Sequence, residues 1–375
     1  MNSNELRALR KETDPLADEI VTKYFTESAF DREKTMLFFD ALSKNSDPIP
    51  SGLPDYLEKY FYETEDLPSW ADKNKIAKGE QLFSTYGPQI LMMLCVKSLP
   101  MAYSCGDGAQ VLYKTGRLIE QNGVIDGVNR RLMETTQFVI SVAQENGLGP
   151  QGKGIRTAQK VRLMHASIRY FLGKGKDWDP AAWGQPINQE DMAGTLQSFS
   201  SLVVEGLGQS SLKLSQEEKD SYIHLWRVVG HFIGVKPELC PEGYDAAHSL
   251  GESIFNDQQK PSDAGKVLAK SLLDFMEYML PGNLFDNLPL FFLQTYMGQK
   301  TSEVLGLGWP PKNPLGYFME KIFKDFDSHV DDDEGFGKLV AYFASKLLFS
   351  MDHFYYGGKK ARFWIPPSLR ENWRL

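Results

Sequence analysis

Cysteine is scarce in this chain of 375 residues: Cys95, Cys105 and Cys240 are an odd number, at spacings that match neither a zinc ligand set nor a CxxC redox pair. They are expected to be reduced, buried thiols. No GxSxG elbow and no HExxH helix is present, which removes the hydrolase and zinc-protease chemistries those motifs carry. The Gly-rich stretch Gly147 to Gly154 lacks both the preceding strand and the following Lys-Ser/Thr of a phosphate loop, so nucleotide binding is set aside. Basic residues are outnumbered, 41 Lys+Arg against 49 Asp+Glu for a formal charge of -8, and a surface that trades counterions with nucleic acid is not expected. Long apolar runs are missing too. The most apolar segment, Ile90 to Val96, is cut by Lys97 and falls far short of the roughly 20 residues that cross a bilayer. The start, Met1-Asn2-Ser3-Asn4-Glu5, has no basic n-region and apolar core, so no secretion signal is read and a cytoplasmic location is expected.

Valine/isoleucine alternation is also rare, whereas apolar residues at three- and four-residue spacing run through most of the chain. The expected fold class is all-α. No stretch between the ends reads as a linker, so residues 1–375 are taken as one large domain, with 42% hydrophobic and 24% charged residues to build a core and a wet surface. Asp14-Pro15 should open a helix, the aspartate capping free N–H groups and the proline filling the first turn. Further helices are expected from Trp70 to Phe83, Gln89 to Met101, Val128 to Asn146, Arg156 to Phe171, Gln189 to Val204, Gln216 to Ile233 and Ala264 to Tyr278. On the helix that starts at Arg156, Val161, Met164, Ile168 and Leu172 should face inward. The acidic run Asp331 to Glu334 reads as a solvated turn, and residues 357–375, with aromatics among basic residues, as a packed terminal strap.

One stretch stands apart. In Arg162-Leu163-Met164-His165-Ala166-Ser167-Ile168-Arg169, the two arginines and the histidine fall at i, i+3 and i+7 and share a helical stripe. A guanidinium beside apolar neighbours needs an anion. Two solutions stand open on spacing alone: a satisfied core histidine with two structural Arg–carboxylate pairs, or a haem whose iron takes the imidazole and whose propionates take the arginines. His224 and His231, seven apart, raise a non-haem metal site as a rival use of histidine.

The segment Gly154 to Leu172, with its Val-Arg-Leu-Met-His-Ala run and an Arg four residues beyond the histidine, resembles the signature of the latex-clearing protein/MpaB oxygenase family. Asp14-Pro15-Leu16-Ala17-Asp18, Leu67-Pro68-Ser69-Trp70 with Gly79, Thr115-Gly116-Arg117-Leu118, Gly184-Gln185-Pro186-Ile187 with Asp191 and Thr195, and Trp226-Arg227 with Gly234-Val235 extend the likeness over roughly residues 10 to 240. The resemblance implies an all-helical, globin-like haem-binding core. It implies a non-covalent haem b, in keeping with the absence of CxxCH, held by His165 with Arg162 and Arg169 beside it. It also puts Arg131 and Thr135 on the distal side, where a cation and a hydroxyl one turn apart can steady dioxygen. Where rubber-cleaving members carry a lysine between those two positions, this chain has Glu134, which can pair with Arg131 at i+3 or accept a proton. Glu120 is the nearest acid to the family's candidate base, at an offset that does not match.

The resulting expectation is an oxygenase that activates dioxygen against an apolar, isoprenoid- or lipid-like small molecule, with cleavage of a C=C bond as the family's reaction. Two other readings stay open: a haem- or lipid-binding protein or redox sensor without turnover, and peroxidase-like chemistry, which a distal arginine also favours.

Overall fold

The computed structural model describes residues 1–29, 31–43, 52–115, 126–150, 152–279, 287–310, 332–352, 355–356, 359–360 and 365–373. Helix dominates throughout, as the periodicity predicts; the strands among the described residues are Tyr355–Tyr356 and Lys359–Lys360, paired antiparallel. The chain groups into two compact units, each gathered from separate segments. The first comprises Met1–Phe83, Phe138–Leu196 and Gln216–Ser253, and the second Ser84–Gln137, Gln197–Ser215 and Ile254–Leu375.

In the first unit, α1 (Ser3–Leu9), α2 (Pro15–Glu27), α3 (Arg32–Ser43) and α4 (Asp55–Glu63) precede α5 (Lys73–Met93), whose first half belongs here. Helix α5 starts three residues after the expected Trp70. The reason is Asp72, whose Oδ1 accepts the N–H groups of Asn74 and Lys75 and caps the helix there. The core of this unit joins Val21, Phe25 and Phe38 of α2 and α3, Leu57, Tyr60 and Phe61 of α4, and Leu163 and Ala166 of α9 (Gly154–Lys174), all buried. Each phenylalanine removed from water in this way contributes about 2 kcal/mol. The inward stripe of α9 differs from the expected one. Leu163, Ala166 and Ser167 are fully covered, whereas Val161, Met164, Ile168 and Leu172 are half-buried: Leu163 and Ala166 enter the core built by α2, α3 and α4, and Met164 packs at its edge.

In the second unit, α5 ends in a π-helical segment, Leu94–Ser98, and continues as α6 (Leu99–Ser104), so the two helices expected from Trp70 and Gln89 are one interrupted rod. Its irregularities sit at Tyr86, just before Pro88, and at the π turn, the kinds of place where helices bend. Lys97 in the π turn is buried, and its ammonium donates to Glu205, Gln209 and the Tyr296 carbonyl. Along the chain as a whole the order continues with α7 (Ala109–Lys114), α8 (Asp126–Ala143), α10 (Pro180–Trp183), α11 (Gln189–Phe199), α12 (Ser201–Gln209), α13 (Gln216–Phe232), α14 (Tyr244–Gln258), α15 (Asp263–Met279) and α16 (Leu288–Val304), of which α10, α13 and most of α11 and α14 belong to the first unit. The single helix expected from Gln189 to Val204 is broken at Ser200, whose φ of -113° and ψ of -86° leave the helical region. Residues Asp332, Asp333 and Glu334, read as part of a solvated turn, instead open the helix Asp332–Asp352. Acidic side chains suit a helix N-terminus.

Near the chain's end, Ile365, Leu369 and Trp373 are buried. Trp373 lies so close over Gly87 that any side chain at 87 would overlap its ring, and its Nε1 donates to the Ser84 carbonyl at 3.0 Å. None of the three cysteines forms a disulfide and all are buried; burial pushes the thiols of Cys95 and Cys240 up to about 12, which keeps them protonated and unreactive. Among the described residues no helix is long and apolar enough to cross a membrane.

Candidate functional site

Helix α9 carries the histidine and both arginines of the stripe, and the structure shows which anions meet them. Arg162 donates from Nε to Asp14 Oδ2 at 2.6 Å and from Nη2 to Asp14 Oδ1 at 2.7 Å, a bidentate pair with the aspartate 4% exposed. Burial opposes the charge on Arg162, but the hydrogen bonds and charge of Asp14 outweigh it and hold its pKa above the ordinary value. Asp14 does stand at the N-cap position of α2, with proline following, yet its side chain caps nothing: the carboxylate is spent on the guanidinium. The capping expectation is thus corrected by a stronger, charge-assisted competitor.

Arg169 is engaged differently. Its Nε donates to Asp18 Oδ1 at 2.6 Å and its Nη1 to the Ile187 carbonyl at 3.2 Å, while Nη2 is buried with no hydrogen-bond partner among the described residues. The anions expected from a haem are therefore supplied to both arginines by α2. Arg162 gives two of its donors to one aspartate, whereas Arg169 keeps a buried Nη2 that calls for an acceptor. His165 is half-buried between them on the face of α9 turned away from the Leu163/Ala166 core.

Of the distal candidates on α8, Glu134 and Thr135 are half-buried. Thr136, the next residue, is buried and back-bonds to the Leu132 carbonyl at 2.9 Å. Arg131 lies within α8, with its side chain outside the described residues, and Glu120 lies outside them altogether.

The rival histidine pair on α13 is used otherwise. His224 and His231 present edges to Trp70 at 6.0 and 6.1 Å between centroids, and Arg227 between them stacks over the same indole at 4.2 Å. His224 Nε2 accepts the Asp72 N–H at 2.9 Å. Among the described residues no group of three His, Cys, Asp or Glu side chains is arranged to hold a metal ion. Burial, then the charge of Arg162, lowers the pKa of His231. An open concavity of about 550 Å³ lies along α2, lined by Thr13, Asp18, Thr22 and Lys23 among others, and does not include His165.

Comparison with known proteins matches residues 90–319 to the ER-bound oxygenase mpaB/B′/rubber oxygenase catalytic domain. The chain belongs to that family. The family segment contains Arg131, Glu134, Thr135, Arg162, His165 and Arg169, and starts after Asp14 and Asp18. The rubber oxygenase of Streptomyces sp. (strain K30) is 25% identical over 271 residues, 72% of this chain and 65% of its own length. The chain therefore spans just under two thirds of that relative. In fold, the latex clearing protein in its closed state is similar at a TM-score of 0.72 and 21% identity, covering 98% of this chain and 91% of that one. This likeness agrees with the all-α class expected from the sequence.

Sequence reasoning named the arginines and missed their partners. The signal was present: Asp14 and Asp18 are four apart on one helix, Arg162 and Arg169 seven apart on another, and long guanidinium stems bridge the difference in rise.

Proposed function

We propose that this protein is a haem b-dependent oxygenase of an apolar substrate, with His165 as proximal ligand of a non-covalently bound haem. The observation that carries the reading is the unsatisfied, buried Nη2 of Arg169 one helical turn from a half-buried imidazole. A buried N–H of a charged group left without an acceptor costs several kcal/mol, and a haem propionate meets that need. Family membership supports the same chemistry.

A bound haem b supplies redox-active iron for the activation of dioxygen. The protein's own residues do the rest. His165 would offer an imidazole nitrogen to the metal, and Arg169, oriented by Asp18, would donate to a propionate. Arg162 stays with Asp14 and fixes the helix that presents His165. Arg131 and Thr135, four apart on α8, form the distal pair, with Glu134 held by Arg131 and the distal side left open. Glu120 remains a candidate base. The substrate class is an olefin of isoprenoid or lipid type, in keeping with a relative named rubber oxygenase, and cleavage at C=C to carbonyl products is what the family resemblance implies.

Reconstitution with haem tests the assignment. The wild type should give a Soret band at one haem per chain, and His165→Ala should lose most of it; an unchanged spectrum and haem content in the variant would refute the ligand. Glu134 in place of the family's lysine favours a second reading, a haem carrier or sensor without turnover. Oxygen uptake with candidate olefins separates them, because a carrier binds haem and consumes nothing.

A further inference from the structure

Gln189, the first residue of α11, has no part in the proposed chemistry, yet it is 1% exposed and uses both donors and the acceptor of its side-chain amide. Its Nε2 donates to the Thr13 carbonyl at 2.9 Å and to the Gly234 carbonyl at 3.0 Å. Its Oε1 accepts the Lys236 N–H at 3.0 Å, and its own backbone N–H donates to the Glu12 carbonyl at 2.9 Å. One buried side chain thus ties the stretch between α1 and α2 to the stretch that follows α13. The Lys236 ammonium, paired with the Glu12 carboxylate, closes the same junction. The amide works in one orientation only: turned over, it would set an oxygen against two carbonyls and an NH2 against an N–H.

The tethered stretches meet at the ion pair of Asp14 and Arg162. Asp14 follows Thr13 directly, so the carbonyl held by Gln189 is the one that leads into the aspartate. Gly234 sits at φ +86°, and a Cβ there would overlap Asp14 Oδ2 and stand 2.8 Å from Arg162 Nε. Its bare backbone therefore packs straight onto the pair. Two residues before Gln189, Ile187 at φ +49° turns its carbonyl to Arg169 Nη1 at 3.2 Å. The segment 187–189 thus reaches both arginines of the stripe, Arg169 directly and Arg162 through Asp14, and all of these residues belong to the first unit. A carboxylate and a guanidinium form two parallel bonds only when both are held in plane, which is what fixed turns on either side of Asp14 supply.

We propose that Gln189 is a positioning residue: by joining the Thr13 and Gly234 stretches it fixes the Asp14 carboxylate against Arg162 and so sets how α9 presents His165. The consequence for haem rests on the function proposed above; the coupling from Gln189 through Asp14 to His165 does not.

NMR of the haem-free full chain tests the coupling, with the His165 ring signal assigned by its loss in His165→Gln. In Gln189→Leu the Arg162 Nε–H should exchange with water about tenfold faster than in the wild type, and the His165 signal should move. Asp14→Ala should move the same signal. In the double variant it should stay where Asp14→Ala alone puts it, because Gln189 then has no carboxylate left to place. Signals of Arg162 and His165 unchanged in Gln189→Leu, or additive shifts in the double variant, overturn the proposal. If Gln189→Leu does not fold, Gln189→Glu takes its place in the cycle under the same outcomes, since it keeps the volume and turns both donors into an acceptor. Asp14→Asn likewise replaces an unfolded Asp14→Ala. Haem titration reads the consequence: affinity should fall about tenfold in Gln189→Leu, as for other residues that orient a metal ligand, and no further in the double variant than in Asp14→Ala. Wild-type affinity in Gln189→Leu would refute that consequence. A wild type that binds no haem would sink the reading of His165 as ligand and leave the coupling in the haem-free chain standing.

Discussion

At the scale of single residues, competition for one carboxylate decides the role of Asp14. An N-cap bond is worth about 1 kcal/mol, whereas breaking a buried, bidentate ion pair costs about 3–5 kcal/mol because the partner charge stays behind. Asp14→Ser keeps a capping side chain and loses the charge, so it should destabilise nearly as much as Asp14→Ala in urea unfolding. A Ser variant close to wild type would mean that capping dominates. A second residue-scale effect comes from His224, which is buried and must keep Nε2 unprotonated to accept the Asp72 N–H. Burial, followed by Lys75 and Arg227, holds its pKa below the ordinary 6.5. The unfolded chain therefore takes up a proton that the folded chain refuses, and stability drains as pH falls from 6.5 toward the lowered value. A Tm profile over about pH 5 to 8 should slope less steeply in His224→Gln than in the wild type. Parallel profiles would count against this linkage.

At the scale of elements, α9 shows that glycine is required in one place and tolerated in another. Gly154 at its start is walled in by carbonyl oxygens, and Gly173 near its end has nothing within 4 Å of a built Cβ. Gly154→Ala should cost about 3 kcal/mol or more by forcing the turn apart. Gly173→Ala should gain about 0.5–1 kcal/mol, since alanine loses less backbone entropy in a helix. Thermal unfolding reads both, and equal effects at the two sites would contradict the packing argument. The existence of α9, and the histidine and arginines on it, were legible in the sequence because a 3.6-residue period places i, i+3 and i+7 on one stripe. Its covered face was not legible, since Val161, Met164 and Ile168 are as apolar as Leu163 and Ala166, and only the packing of α2 to α4 chooses between them.

At the scale of the molecule, contacts distant in sequence tie each unit together. Trp373 reaches Ser84 across 289 residues, and the buried Arg10 joins the end of α1 to Glu190, Asp191 and the Trp183 carbonyl. A chain ended at residue 364 should lose the cover of Ile365, Leu369 and Trp373 and unfold at clearly lower urea concentration, by about 3 kcal/mol or more. An unchanged midpoint would show the segment from Ile365 onward, with its helix Pro367–Trp373, to be dispensable. The boundaries between the two units fall within α5, α8, α11 and α14, where no linker composition marks them, and at 215/216 in the connection before α13.

What the sequence by itself determined is local and compositional: helical class, the places where proline and glycine interrupt it, inert cysteines, and a charged stripe around His165 that required anions. Which anions met that stripe was decided only by tertiary structure. Desolvation penalises any guanidinium equally, but geometry alone brought Asp14 and Asp18 within reach, gave Arg162 a bidentate partner, and left the buried Nη2 of Arg169 without a partner among the described residues.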